Sequence, residues 1–407
     1  MFRLSTFNSE NSPFIFSLRV TIFLLPILLV GIFYEIILWN SGESWPISRI
    51  VEEQSRNPDL VWRRNYFSQF AETYKFLLVK QARKEILVVG SSRVLNFRSI
   101  FFHPFEGMFM NGGRLLSNLG DVASFADSLE TGALPKPEVL IVGLDPWWLK
   151  QGSRVPRGFD PANLPEDAWE VGAHVSAITG LISNGSFPFQ LLKPGQNLLT
   201  PFCNRPARGL AALFNGSAYR SDGSTLHEKV YADFLENPKY RDRENPPIIE
   251  RVRALNGRFK PCPGIDPQKI DFLLKHLENL RHLGIEIVVF FPPFSDEVAA
   301  EISEIAELRK WWKDYWDLVP EILTARGFQI FGVSNPSVLG LDDRYMLDGF
   351  HPSEVLVAAI LVDWLENVSS SSILASIDIG WLKSLSKNPR ILPVGFGCDI
   401  SEFAKYK

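Results

Sequence analysis

From Val20 to Trp39 the chain reads VTIFLLPILLVGIFYEIILW, an apolar run whose single formal charge, Glu35, lies near one end. At about 1.5 Å rise per residue, a helix of this length crosses a hydrocarbon core about 30 Å thick. The run is long for the hydrophobic region of a signal peptide, and no A-x-A-like site follows it. An uncleaved anchor is therefore expected, in preference to a cleaved leader or a buried core helix. Pro26 is expected to kink it, with Glu35 near the headgroups beside Tyr34 and Trp39. No second stretch approaches that length without charge.

Beyond the anchor the pattern changes to short apolar runs alternating with helical periodicity. EILVVG (85–90), GMFMNGG (107–113) and EVLIVGL (138–144) are continuous apolar runs ending at or near glycine, the pattern of strands buried on both faces of a parallel sheet. Asp266-Pro267 supplies an N-cap and first-turn proline for a helix through Ile270, Leu273, Leu274, Leu277 and Leu280, stopping at Gly284. IEIVVFF (285–291) and FQIFGV (328–333) read as two further strands, separated by one amphipathic helix over 296–325. EVLVAAILVDWLENV (354–368) reads as a closing helix. Strands alternating with helices predict an α/β domain, a three-layer doubly wound parallel sheet of flavodoxin-like kind. The expected division is a cytoplasmic tail (1–19), the anchor (20–39), a juxtamembrane connector (40–83), the main domain (84–368) and a C-terminal tail (369–407). Residues 150–262, rich in Pro, Gly, Asn and Arg without clean periodicity, read as an insertion between the third and fourth strands. Such an insertion commonly forms a substrate wall.

Composition narrows the classes. The 407 residues carry 42 Lys and Arg against 46 Asp and Glu, a net charge of −4, which provides no field to attract nucleic acid. At 46% hydrophobic and 22% charged, the chain is globular rather than disordered. Cys203, Cys262 and Cys398 show no CxxC spacing, and the six histidines form no HxH or HExxH pair, so neither a metal nor a cofactor is expected. Arg3 and Arg19 precede the anchor, whereas Glu43, Glu52, Glu53 and Asp59 against Arg49 and Arg56 follow it. This asymmetry places the N-terminus inside and the rest outside the cytoplasm. In that compartment Cys203 and Cys262, flanking a loop-rich region, are candidates to pair and leave Cys398 odd, although spacing does not fix connectivity. Sequons at Asn184, Asn215 and Asn367 matter only in a host that glycosylates asparagine.

In an open parallel sheet, ligands collect beyond the carboxyl ends of the strands. There the turn Gly90-Ser91-Ser92-Arg93 exposes a serine hydroxyl beside backbone N–H groups suited to an oxyanion. Asp348 and His351 lie three residues apart in LDGFHPSE, a spacing at which the carboxylate orients the imidazole and the other ring nitrogen takes a serine proton. Each signal is common by itself. The plainer alternative makes Asp348 a turn cap, His351 a surface residue and the two serines helix caps. Their order along the chain and their placement at strand ends favour a serine-esterase set. Arg93 is a candidate contact for a substrate carboxylate or phosphate, against a structural role. Trp147 and Trp148 are candidate sugar platforms, against core packing or membrane contact. YRSDGS (219–224) reads first as a turn.

On GSS, MNGG and DGFH the chain resembles the SGNH (GDSL-like) hydrolase superfamily over roughly residues 84–368, and most closely its membrane-anchored acyl-transfer members. Those include proteins of teichoic-acid D-alanylation and of alginate and other exopolysaccharide O-acetylation. The resemblance implies Ser92 as nucleophile, with Ser91 in place of the Asp of GDS, and Asp348 and His351 as the family's DxxH block. It implies Gly113, with Gly112 as the near alternative, as an oxyanion N–H donor. The family's GxND block appears as Gly143-Leu144-Asp145-Pro146, where an ionised Asp145 accepts hydrogen bonds and cannot donate them as Asn does. The activity implied is transfer or hydrolysis of acyl groups, acetyl above all, on a cell-surface glycan. The implied partner is a multi-pass membrane-bound O-acyltransferase. A non-catalytic accessory protein and a lipid esterase are the other expectations.

Overall fold

The structure, a computed structural model, describes residues 13–64, 71–152, 154–164, 171–183, 189–193, 195–201, 203–228, 245–367 and 373–387. Arg3, Asn184 and Cys398 lie outside them. Helix Pro13–Ser41 is long and apolar enough to cross a membrane, and Ile22, Phe23, Ile27 and Leu28 are among its exposed residues. Its last turns are different. Ile37 and Leu38 are fully buried in the domain core, so helix and domain meet at a packed junction.

Nine strands are described. The small ones are β1 (Val61–Trp62), β5 (Ala207–Arg208), β6 (Ser217–Tyr219) and β7 (Thr225–His227). The main sheet is β2 (Ile86–Gly90), β3 (Phe109–Gly113), β4 (Val139–Gly143), β8 (Glu286–Phe291) and β9 (Gln329–Gly332), in spatial order β3-β2-β4-β8-β9 with every pairing parallel. The runs that form β2 and β4 are apolar at every position because both faces are covered. Leu87 and Val89 join a cluster with helices Ala71–Ala82, Leu119–Glu130, Pro267–His282 and Ala306–Ala325. Ile86 and Val88 join the opposite cluster, with helices Glu354–Asn367 and Ile379–Ser386. Helix Pro267–His282 starts where its caps place it, with the Asp266 side chain accepting from Gln268 N–H and Pro267 at the first position.

Three sequence expectations change. The helix expected over 296–325 is two helices, Asp296–Glu304 and Ala306–Ala325, broken at Ile305 with ψ 117°. The break is stabilised by groups distant in the pattern: Arg309 donates to the carbonyls of Ser303 and Glu304, and Ile305 O accepts from Leu308 and Arg309 N–H. The segment read as a connector is part of the domain. β1 pairs parallel with β5 and antiparallel with β6, both from the insertion, and helix Ala71–Ala82 lies against edge strand β3. The region after 369 also contributes, since Leu374, Leu382 and Leu385 are buried in the second cluster and Trp381 Nε1 donates to Ile100 O at 2.9 Å.

The pairing of Cys203 with Cys262, one of those the spacing left open, is not formed. Cys203 is disulfide-bonded, whereas Cys262 is a free thiol.

Candidate active site

β2 ends at Gly90, whose φ of 156° turns the chain sharply into a short 3-10 segment, Ser92–Val94. A Cβ at this position would sit 3.1 Å from Gly143 O, so the approach of β4 and the turn geometry both require glycine. Ser91 is the N-cap, and its Oγ accepts from Arg93 N–H at 3.3 Å. That commitment separates the two serines. Ser92 Oγ instead lies 2.9 Å from His351 Nε2, although 259 residues separate them.

His351 is held by its own loop. Asp348 Oδ1 accepts from the N–H groups of Phe350 at 2.7 Å and His351 at 2.9 Å, a turn-capping role, and the same carboxylate meets His351 Nδ1 at 2.8 Å. The turn-cap alternative and the orienting role are therefore both met by one residue. With Nδ1–H donating to Asp348, Nε2 carries the lone pair that faces Ser92. Leu347 N–H closes the loop onto His351 O at 2.7 Å, and Ser295 N–H donates to Gly349 O, tying the loop to the segment after β8.

Burial of Asp348 by itself raises its carboxyl pKa, but the neighbouring His351 charge and hydrogen bonds from His351 and Phe350 outweigh this and bring it down to about 2. A depressed carboxyl pKa contributes stability that is complete above the ordinary 3.8 and lost as pH falls through about 2. Urea unfolding at pH 5, 4 and 3 is accordingly expected to show the stability gap between wild type and Asp348→Asn narrowing as pH falls. A gap that is constant or widens toward pH 3 contradicts the ionised pairing.

Arg93 and Asp145 do not face this site. Both are fully buried, and they pair with each other at 3.2 Å. Arg93 also donates to the carbonyls of Phe350 (3.0 Å), Pro292 (2.8 Å) and Pro293 (2.6 Å). It thus brackets the ends of β2, β4 and β8 to the histidine loop, and its substrate-binding assignment gives way to a structural one. Trp147 has the Arg258 guanidinium 4.2 Å and the Arg93 guanidinium 5.4 Å from its ring centroid and lies edge-on to Phe294 and Phe350, and Trp148 is buried. Neither Trp lines the cavity at Ser92. Gly113 N–H, the expected oxyanion donor, is donated to Asn111 Oδ1 at 2.8 Å. Gly112 lies within the ladder opposite Val89. Ser92 N–H, at the start of the 3-10 turn, is left without an acceptor among the described residues and points to the backbone donor of this site.

Ser92, Asp348 and His351 open onto a cavity of about 340 Å³ that also takes in Arg63, Leu95, Asn96, Arg114, Thr225, His227 and Leu347. The wall bearing His227 is the β6–β7 hairpin, whose turn is the YRSDGS segment. It is anchored by buried charges: Glu354 pairs with Arg98 at 2.9 Å and Arg220 at 3.0 Å, and Asp222 accepts from Ser99 N–H at 2.9 Å. Burial, reinforced by Arg63, His351 and Arg220, lowers the His227 pKa to about 3, so this imidazole is neutral at physiological pH. A larger cleft of about 510 Å³ runs along β3 near Phe109, at the opposite end of that strand, and has neither His nor Cys in its lining.

Sequence reasoning missed Arg63, Arg114 and His227. Arg114 directly follows the MNGG block and was legible by adjacency, whereas Arg63 follows a strand of two residues and His227 ends one of three, both too short to carry periodicity. Among the described residues no group of His, Cys, Asp and Glu is arranged to hold a metal ion. No family model and no curated protein matches the chain.

Proposed function

We propose that the chain is a membrane-anchored, extracytoplasmic serine acyltransferase or esterase of SGNH (GDSL-like) type, acting on acyl groups of a cell-surface glycan. The observation that carries this reading is the relay Ser92 Oγ–His351 Nε2–Asp348, with contacts of 2.9 and 2.8 Å. Ser92 attacks the acyl carbonyl as its proton passes to His351 Nε2, and Asp348 stabilises the imidazolium. His351 then returns the proton to the departing alkoxide. In the second half, His351 removes a proton from a sugar hydroxyl or water, which attacks the acyl-serine and releases Ser92.

The strand order supports the three-layer fold. Numbered within the main sheet, β3-β2-β4-β8-β9 is 2-1-3-4-5, the flavodoxin-like order whose switch point lies beside the first strand, and Ser92 stands at the end of that strand. The disulfide at Cys203 supports an oxidising compartment, in keeping with the charges flanking the anchor. A multi-pass membrane-bound O-acyltransferase as donor partner belongs to the same proposal. The commitment of Gly113 N–H and Asp145 to other groups favours, as a second reading, a non-catalytic accessory protein that keeps the fold.

One experiment separates these readings. A membrane-impermeant fluorophosphonate applied to sealed right-side-out vesicles is expected to label wild type and not Ser92→Ala. Labelling only after permeabilisation reverses the topology, and absence of labelling in both conditions leaves the accessory reading.

A further inference from the structure

We propose that the cavity beside Ser92 binds an anionic sugar unit, whose carboxylate or phosphate is held by the guanidinium groups of Arg114 and Arg63. The two side chains reach the cavity from unrelated segments, one following β3 and the other following β1, and both are half-buried. Three buried arginines nearby are paired: Arg93 with Asp145, and Arg98 and Arg220 with Glu354. Arg63 and Arg114 have no carboxylate within ion-pair distance among the described residues. The single carboxylate of the cavity lining, Asp348, is engaged by His351. Among the described residues the cavity therefore presents two cationic forks, Arg63 hydrogen-bonded only to the Ser217 hydroxyl and Arg114 only to the Tyr219 hydroxyl, while its one carboxylate is taken by His351; a guanidinium fork matches a carboxylate or phosphate with two parallel hydrogen bonds.

The backbone at Arg114 adds a second observation. Its φ is 75°, in the left-handed region that L-residues with long side chains rarely adopt. Arg114 N–H donates to Gly90 O at 2.7 Å, which locks the residue against the serine turn. Glycine meets the demands of such a turn without strain, yet the chain places an arginine there. Its Nη1 donates to Tyr219 OH at 3.3 Å, and the Arg63 guanidinium lies 5.7 Å from the centroid of the same ring. The buried Tyr219 ring braces both forks and keeps them oriented before a ligand arrives.

The identification of this ligand as the acyl acceptor rests on the proposed serine mechanism, but the binding does not, and the test measures binding alone. Full-length Ser92→Ala in detergent micelles is titrated calorimetrically with a glucuronate tetramer, a glycerol-phosphate tetramer and a neutral glucose tetramer. At least one anionic probe is expected to bind about tenfold or more tightly than the neutral one and to weaken as salt rises; which one binds tells carboxylate from phosphate recognition. Adding Arg114→Gln or Arg63→Gln is expected to weaken that probe about tenfold or more, and the corresponding Lys variants should recover part of the loss. Equal binding of the neutral probe, no binding of any probe, or Gln variants that melt normally and bind as before overturns the proposal. Failure of fluorophosphonate labelling with anion binding intact would remove the serine mechanism and leave this site standing.

Discussion

Replacing His351 by alanine is expected to lower acyl turnover by about 10²–10⁴-fold or more while leaving the domain folded. The imidazole is the one group of the described site that touches Ser92 Oγ with a basic nitrogen, at 2.9 Å, and without it the hydroxyl has no local acceptor for its proton. His227 lines the same cavity, but its low pKa of about 3 makes it a poor base at neutral pH and leaves it unable to replace His351. Asp348→Asn isolates the electrostatic part of the effect. Asparagine still offers an oxygen to the N–H groups of Phe350 and His351, so the loop persists, but an amide gives the imidazolium no opposing charge. Its turnover is expected to fall severely with the melting transition kept. Ser91→Ala serves as the comparison on the same turn, because the Ser91 hydroxyl caps Arg93 N–H and does not meet the histidine. It should cost about 1 kcal/mol of stability and spare most of the rate. Turnover of a chromogenic acyl ester, read beside circular dichroism, checks all three. Unchanged turnover in folded His351→Ala ends the serine mechanism.

Arg93→Met is expected to destabilise the domain by about 3–5 kcal/mol, the usual cost of removing one member of a fully buried ion pair. Four acceptors lose their donor at once: Asp145 Oδ1 and the carbonyls of Phe350, Pro292 and Pro293. Asp145 then remains as a charge buried without compensation. Arg93→Lys should be nearly as harmful, since one ammonium cannot reproduce a fork that reaches three chain segments. Adding Asp145→Asn to Arg93→Met should recover part of the loss, because the stranded charge is gone. Phe350 is adjacent to His351, so the same substitution loosens the loop that holds the imidazole, and under the proposed mechanism turnover should fall further than the folded fraction does. Equilibrium urea unfolding measures the first effect, and a loss below about 1 kcal/mol would show that the bracket is not structural.

The parts legible in the sequence are those written in local pattern. Strands β2, β4 and β8 are apolar at nearly every position, and helix Pro267–His282 carries its own cap, so each announces itself without reference to a distant residue. The same holds for Ser92, Asp348 and His351, because the serine turn follows a readable strand and Asp348 and His351 share one loop. The helix break at Ile305 was not legible, since it depends on Arg309 reaching back to carbonyls rather than on glycine or proline. The small sheet was not legible either, because β1 and β5 are two residues long and alternation needs more positions than that.

The sequence by itself determined the long apolar N-terminal helix, the parallel sheet and the three residues, Ser92, Asp348 and His351, that meet at the end of its first strand. Only the tertiary structure decided what the neighbouring charges do. From the sequence Arg93 is a candidate substrate contact and Asp145, 52 residues away, stands in the block that resembles an oxyanion hole, but the convergence of three strand ends buries them against each other, where an unpaired charge would be costly. Gly113 N–H is taken by Asn111, while Arg114, marked only by its adjacency to the MNGG block, and Arg63, whose sequence surroundings carry no sign of a site, face the cavity without a carboxylate partner among the described residues. A charged side chain's role depends on its partners and on its exposure to water. Both are properties of distant segments brought together, which no local pattern of residues encodes.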